Sequence, residues 1–290
     1  MNIEYIYLKH YDLIFHVMAY LKVDNASNLY DEKYIAKMAV EKTGFAYDLT
    51  PAVSVLQEYY NENFERLMWI NFLPYYCDDY DDMKVNFLNS HYFTQDDLQM
   101  FIKPFIEVLD NESEFFFEYW NKLHDMNNVS RHSTEDYFQK ELAKYSCVFD
   151  YFRKPCKIIF SYTITQNGRG LYSDSHFVAC IRYPESNTVY NFSFILLLHE
   201  YTHAFTDGLL NKNINMNDGS HGLSEKLAIV ADYFLIKSID ESFIPVYVEL
   251  VTNGDHKNIN DEIFLSMFNI DEYLQAELME LINNILSLLF

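Results

Sequence analysis

NFSFILLLHEYTHAFTD, residues 191–207, is an almost wholly apolar run into which two imidazoles and a carboxylate are set. Residues four apart share one face of an α-helix, so His199 and His203 lie on the same side, with Glu200 beside them. A helix apolar enough to be buried carries such groups only where they are paired or bind a metal ion. The spacing His-Glu-x-x-His therefore predicts a zinc site in the middle of a buried helix.

A buried helix without a metal is the alternative interpretation. In that case the two imidazoles donate to backbone carbonyls and Glu200 forms an ion pair. The position of the motif directly after the apolar residues 194–198 favours the metal, because polar groups are otherwise disfavoured there.

Two histidines do not complete a zinc site, since catalytic zinc usually takes three protein ligands and keeps a fourth position for water. The candidates downstream of the motif are Asp207, Asp218, His221, Glu225 and Asp232. Asp207 lies one turn after His203 on the same helix, a position that suits a partner for an imidazole better than a third ligand.

Gly208 and the polar stretch Asn211–Gly222 predict a loop that ends this helix. A second helix is expected from about Leu223 through Lys237, with Glu225 in its first turn. The resulting helix-loop-helix hairpin presents Glu225 to the metal. Two other interpretations remain open. Glu225 is then either a carboxylate that the helix dipole stabilises near the N-terminus without any metal, or it is replaced as third ligand by His221. If His221 is not a ligand, it suits a contact with the substrate or the transition state.

Asp232 lies two turns beyond Glu225 on the second helix, on the same stripe. That position allows it to accept a hydrogen bond from the non-ligating nitrogen of one histidine, which fixes the orientation of the ring. Ala228 and Ala231 are small enough to let the two helices approach closely.

The segment HEYTHAFTD, residues 199–207, resembles the HExxHxxTD segment of thermolysin-like peptidases, and the later Glu225 fits the broader gluzincin clan of zinc peptidases. The resemblance extends from His199 to about Asp232. It implies that His199, His203 and Glu225 are zinc ligands and that Glu200 is the general base. The thermolysin-like pattern has an aspartate one turn after the ligand glutamate, where this chain has Ile229, so the resemblance is to a distant clan member.

Composition sets the surroundings of the motif. The chain has 290 residues, half of them apolar and 18% aromatic, which gives ample material for a core. Its formal charge of −22 argues against binding to nucleic acids and to anionic membranes. The resemblance to zinc peptidases implies a peptide or protein substrate.

The cysteines and the N-terminus predict a cytoplasmic protein. Four cysteines without CxxC spacing are typical of buried thiols in a reducing compartment. Cys180 is a further candidate ligand, but the apolar run Phe177–Ile181 predicts a buried strand there. The first residues carry acidic side chains and lack the basic start of a signal peptide.

The periodicity of the chain predicts an α+β fold that is predominantly α. Helices are expected at Tyr30–Lys42, Ala52–Leu67, Thr94–Leu109, Ser133–Cys147, Phe243–Val251 and Asp271–Leu289. Two antiparallel strands, Lys157–Ile164 and Phe177–Tyr183, are expected on either side of a glycine-containing loop at 167–170. Residues 1–150 are thus predicted as a helical N-terminal region. Residues 151–290 are predicted as a zincin-like catalytic region with a small antiparallel sheet and an active-site helix pair.

The expected function is that of a zinc-dependent metallopeptidase in which zinc activates water and Glu200 accepts its proton. The resemblance also implies a sheet edge beside the metal, where an extended substrate adds as a further strand. One alternative is a non-catalytic peptide- or protein-binding module whose structural or vestigial zinc takes a fourth ligand such as His221. Another is a metal-dependent amide hydrolase that acts on something other than a peptide. The presence of Glu200 favours catalysis, because a closed site has no use for a base.

Overall fold

The structure of the protein is a computed structural model. It describes residues 3–22, 31–44, 48–152, 154–164, 168–173, 176–186, 189–213, 220–252 and 259–289, without the side chains at 212–213 and 220–221. By their contacts the residues form two compact units. Unit 1 consists of Met1–Ile6, Ser130–Ile159 and Gln166–Phe290, and unit 2 of Tyr7–Val129 and Phe160–Thr165. This division differs from the predicted boundary at residue 150, because residues 130–150 group with the C-terminal part of the chain.

Unit 2 is helical in most of its described residues, apart from the segment that begins at Phe160. Its helices are α1 (Lys9–Met18), α2 (Glu32–Glu41), α3 (Leu49–Glu62), α4 (Phe64–Leu67), α5 (Tyr80–Asn89), α6 (Gln95–Asp97) and α7 (Lys103–Met126). The hydroxyl of Thr94 accepts from the backbone N–H of Asp97, whose carboxylate accepts from that of Thr94. This capping box starts α6 where the sequence predicts a helix to begin, at Thr94. A π-helical segment, Leu98–Ile102, joins α6 to α7.

Unit 1 contains the remaining helices and a small sheet. The helices are α8 (Asn128–Lys144), α9 (Ser146–Phe149), α10 (Tyr190–Asn213), α11 (Ser220–Ile239), α12 (Ile244–Thr252), α13 (Asp261–Phe268) and α14 (Glu272–Leu286). The strands are β1 (Ile3–Ile6), β2 (Cys156–Ser161), β3 (Arg169–Tyr172) and β4 (Phe177–Arg182). The protein is therefore predominantly α with one small sheet, in agreement with the predicted α+β class. The helix predicted at Ser133–Cys147 begins earlier than expected, because α8 starts at Asn128.

The sheet is mixed, so the prediction of an antiparallel sheet is wrong. Its strand order is β1-β2-β4-β3. β1 pairs with β2 in parallel, with Ile3 opposite Cys156, and β3 pairs with β4 antiparallel, with Arg169 opposite Cys180. The backbone N–H of Phe177 donates to the carbonyl of Pro155 at 3.0 Å, which places the starts of β2 and β4 side by side. The antiparallel partner of β4 is thus β3, which was predicted as a loop because two glycines weaken the pattern of a strand.

The helix pair α10 and α11 packs together beside this sheet. Phe194, Leu197 and Tyr201 are buried on α10, and the ring of Tyr201 meets that of Phe177 on β4 at a centroid distance of 4.7 Å. α10 does not end at Gly208 as predicted, since the buried Leu209 and Leu210 continue its apolar face to Asn213. α11 begins at Ser220, three residues earlier than predicted, and Glu225 therefore lies in its second turn. No helix of the described ranges combines the length and the apolar composition that crossing a bilayer requires.

One aspartate of unit 2 is wholly buried among hydrogen-bond donors. The carboxylate of Asp12 accepts from Trp120 Nε1 at 2.7 Å, from the backbone N–H of Tyr162 at 3.1 Å and from the hydroxyl of Ser161. Burial raises the pKa of Asp12 to about 6, although these hydrogen bonds oppose the shift. The folded protein therefore binds a proton at Asp12 more readily than the unfolded chain does.

This shift predicts a pH-dependent difference in stability between the wild type and Asp12→Asn. Between about pH 4 and 6 the folded state holds the Asp12 proton more tightly, so the stability that this group contributes is lost as the pH rises. The free energy of unfolding of the wild type, relative to that of Asp12→Asn, should fall by up to about 3 kcal/mol from pH 4 to pH 7. Urea unfolding at a series of pH values measures it. The exposed Asp125→Asn serves as control, and parallel curves for the wild type and Asp12→Asn would contradict the expectation.

Candidate metal centre

The two histidines of α10 and Glu225 of α11 converge in unit 1. His199 Nε2 lies 3.3 Å from His203 Nε2 and 3.3 Å from Glu225 Oε2. His203 Nε2 lies 3.4 Å from Glu225 Oε1. All three side chains are half-buried, and within the described ranges they form the one cluster of potential metal ligands of this kind.

The separation of the two imidazole nitrogens fits one edge of a coordination tetrahedron. Donor atoms bound to zinc at about 2.0–2.1 Å in tetrahedral geometry lie about 3.3–3.4 Å from one another. Glu225 approaches His199 with Oε2 and His203 with Oε1, so its two distances end on different oxygens. Two imidazole nitrogens and a carboxylate oxygen are a donor set that zinc accepts. The three residues therefore fit a zinc ion in chemistry, and their ligand atoms lie within 4.8 Å of one another.

Asp232 of α11 holds the ring of His199. Its Oδ2 lies 2.8 Å from His199 Nδ1, and its Oδ1 accepts from the hydroxyl of Thr202 at 2.6 Å. The Tyr247 hydroxyl donates to the carbonyl of Ile229 at 2.7 Å and also lies 3.4 Å from Asp232 Oδ2. Because the wholly buried Asp232 carboxylate accepts the Nδ1 proton, the Nε2 lone pair of His199 faces the other two ligand atoms.

His203 has a corresponding partner in Ser224, which links it to Asp207. The Ser224 hydroxyl donates to Asp207 Oδ1 at 2.6 Å and lies 2.9 Å from His203 Nδ1. Since the single hydroxyl proton goes to the carboxylate, the serine oxygen accepts from His203 Nδ1. Both histidines thus carry their proton on Nδ1 in the neutral ring, and both present Nε2 to the cluster.

Glu200 lies outside the cluster of converging ligand atoms. It follows His199 on α10 and is half-buried. Its side chain approaches the start of β3, where Gly168 and Gly170 leave room for it. A carboxylate beside the ligands that does not itself join them is available to accept a proton.

The charges of the cluster depend on one another. Burial by itself would lower the pKa of His199, but the hydrogen bonds with Asp232 and Glu225 outweigh it and raise that pKa well above its ordinary value. The pKa of His203 is raised against the effect of burial by Glu225. Burial would raise the pKa of Glu225, yet the two imidazoles hold it well below its usual range. A divalent cation that binds here replaces the imidazole protons, so its affinity falls at low pH.

The structure brings five of the sequence-predicted site residues into one hydrogen-bonded group and leaves others apart. The five are His199, His203, Glu225, Asp232 and Asp207. Asp218 lies outside the described residues, and the side chain of His221 is likewise not described. Cys180 is wholly buried within β4, as predicted.

Ser224 is the member of the group that sequence reasoning missed. It stands directly before Glu225 near the expected start of a helix, where a serine is normally interpreted as a cap. Its contact with His203 depends on how α11 packs against α10, which no local pattern reports.

No protein-family model, no curated protein and no solved structure matches this chain. The likeness to gluzincin peptidases is a resemblance of motif that extends from His199 to about Asp232. Any function assigned to the cluster therefore depends on its own geometry and chemistry.

Proposed function

We propose that the protein is a zinc-dependent metallopeptidase of zincin-like architecture. The observation that carries the proposal is the convergence of ligand atoms of His199, His203 and Glu225 within 4.8 Å of one another, next to a Glu200 that stays outside the cluster. Three ligands with a free carboxylate beside them are the arrangement of a catalytic zinc site.

A zinc ion in this cluster supplies a Lewis acid that lowers the pKa of water toward neutrality and polarises a carbonyl group. Glu200 accepts a proton from the attacking water, and the oxygen forms a bond to the carbonyl carbon of the substrate. The same carboxylic acid then gives the proton to the amide nitrogen as the carbon–nitrogen bond breaks. Asp232, together with Asp207 through Ser224, keeps the two imidazoles oriented throughout.

A peptide is the substrate that the neighbouring sheet favours. β3 is the last strand in the order β1-β2-β4-β3, and it lies against α10, which carries the motif. An extended peptide that pairs with such an edge gains main-chain hydrogen bonds with little demand on its sequence. Its scissile bond would then lie near Glu200, whose side chain touches β3.

The first prediction of this proposal concerns metal content. The wild type, after zinc reconstitution, should hold one zinc ion per chain, and His199→Ala or His203→Ala should lose it because two remaining ligands hold zinc poorly. Inductively coupled plasma mass spectrometry of the desalted protein measures the occupancy. His132→Ala, an exposed histidine of the same unit, is the matched control. Full occupancy in the double variant His199→Ala, His203→Ala would reject the site.

The third ligand is tested separately. Glu225→Ala should weaken zinc binding strongly, since it removes the only carboxylate of the cluster, whereas Asp218→Ala and His221→Ala should leave the occupancy nearly intact. Competition with a chromophoric chelator gives the dissociation constants. An empty site in His221→Ala together with a full one in Glu225→Ala would assign the ligand to His221 and contradict the proposed set.

Glu200→Gln separates the chemistry from metal binding. The substitution retains the shape of the side chain and removes its ability to accept a proton, so zinc content and melting temperature should match those of the wild type. General-base contributions are about a hundred- to ten-thousand-fold in rate, and peptide turnover should fall by at least that lower factor. The substrate is first identified by mass spectrometry of a broad peptide library. Wild-type turnover in Glu200→Gln would reject the mechanism, and a zinc-loaded wild type that cleaves no peptide would favour the binding module.

A further inference from the structure

Two glycines at the start of β3 face the side chain of Glu200. Gly168 directly precedes β3 and Gly170 lies within it, so the two positions share one face of the extended chain. A Cβ atom added to Gly168 would lie 2.7 Å from both Cγ and Oε1 of Glu200. One added to Gly170 would lie 2.9 Å from Oε2 and 3.0 Å from Cβ of the same residue.

These distances mean that Glu200 fills the space which side chains of the strand would otherwise occupy. Non-bonded carbon atoms pack at about 3.5–4.0 Å, so even one methyl group at either glycine displaces the carboxylate or the strand. Glycine weakens a strand and often marks a bulge, a bend or a place where another group approaches closely. The two glycines thus form a slot, and the slot restricts the positions that the flexible Glu200 side chain adopts.

We propose that Gly168 and Gly170 are positioning residues that hold the Glu200 carboxylate where it accepts the proton of the attacking water. The inference rests on the proposed function, because it assigns Glu200 the role of general base. A misplacement of about 1 Å costs on the order of a hundred-fold in rate, which is the effect that such a slot prevents. The strand that offers its edge to a peptide therefore also positions the base.

The two glycines differ in which atoms of Glu200 an added Cβ would meet, and this difference determines the choice of variant for the experiment. The three nearest atoms to a Cβ at Gly168 belong to the Glu200 side chain beyond its own Cβ, and this side chain can rotate away. A Cβ at Gly170 also meets the Glu200 backbone oxygen at 3.2 Å, a contact that is relieved only if β3 or α10 shifts. Gly168→Ala should therefore move the base and leave the fold intact, whereas Gly170→Ala should disturb the strand as well.

The test compares Gly168→Ala in the wild type and in a Glu200→Gln background. Gly208→Ala is the control, since Gly208 lies on α10 and a Cβ there meets nothing within 4 Å. Zinc content shows whether the metal site is intact, and the melting temperature shows whether the fold is intact. Turnover of the peptide found by library screening reports catalysis. The affinity of the cobalt-substituted protein for acetohydroxamic acid, followed by visible absorption, reports the carboxylate without any turnover, because this probe ligates the metal and donates a hydrogen bond to a nearby base.

Gly168→Ala should retain zinc and melting temperature, lose about a hundred-fold in turnover and weaken acetohydroxamic acid binding by about ten-fold or more. In the Glu200→Gln background, Gly168→Ala should change turnover and acetohydroxamic acid affinity by less than about two-fold. The reason is that the Glu200 carboxylate, through which the substitution acts, is already absent. Gly208→Ala should match the wild type in zinc content, turnover and probe affinity, and its melting temperature should rise slightly because alanine is the better helix former.

Unchanged turnover and probe affinity in Gly168→Ala would overturn the proposal, as would an equal loss in the Glu200→Gln background, which indicates a merely structural role. Another outcome would reject the proposed function without rejecting the role of the glycines. A metal-loaded wild type that cleaves no peptide, yet shows the coupling in probe affinity, rejects the peptidase and retains the slot. A wild type that takes up neither zinc nor cobalt rejects both.

Discussion

The buried carboxylate of Asp232 is the constraint on which the site depends. A wholly buried charge is costly unless every lone pair finds a partner, so its position is tied to the donors around it. Two of those donors, His199 and Thr202, lie three residues apart on α10 and therefore on the same side of that helix. The pair of contacts sets α11 against α10, and this register brings Glu225 to the two imidazoles.

Two different devices orient the groups of the site. The imidazoles are held by directional hydrogen bonds, one directly to Asp232 and one through Ser224 to Asp207. Glu200 is held by steric restriction against a strand that lacks side chains at 168 and 170. The difference fits the chemistry, because a ligand keeps one protonation state while bound and a general base must change its state during each turnover.

Local sequence patterns predicted the helices and strands better than they predicted which elements pack or pair with one another. The helices around Thr94 and Ala52 follow from apolar periodicity and caps, and those signals lie within a few residues of one another. The end of α10 was misplaced because Gly208 was interpreted as a stop, while burial of Leu209 and Leu210 outweighs the intrinsic cost of a helical glycine. β1 was missed because its parallel partner, β2, lies about 150 residues away and its own pattern is only four residues long.

Helical periodicity is a local property, so the amino-acid sequence suffices to place His199, Glu200 and His203 on one side of a helix in an apolar setting. Spacing and resemblance also indicate Glu225 and Asp232. The contact that joins His203 to Asp207 through Ser224, and the approach of the glycine strand to Glu200, are visible only in the folded protein. Those contacts join side chains from separate elements. Their distances depend on the path and packing of the whole chain between them, which no local pattern encodes.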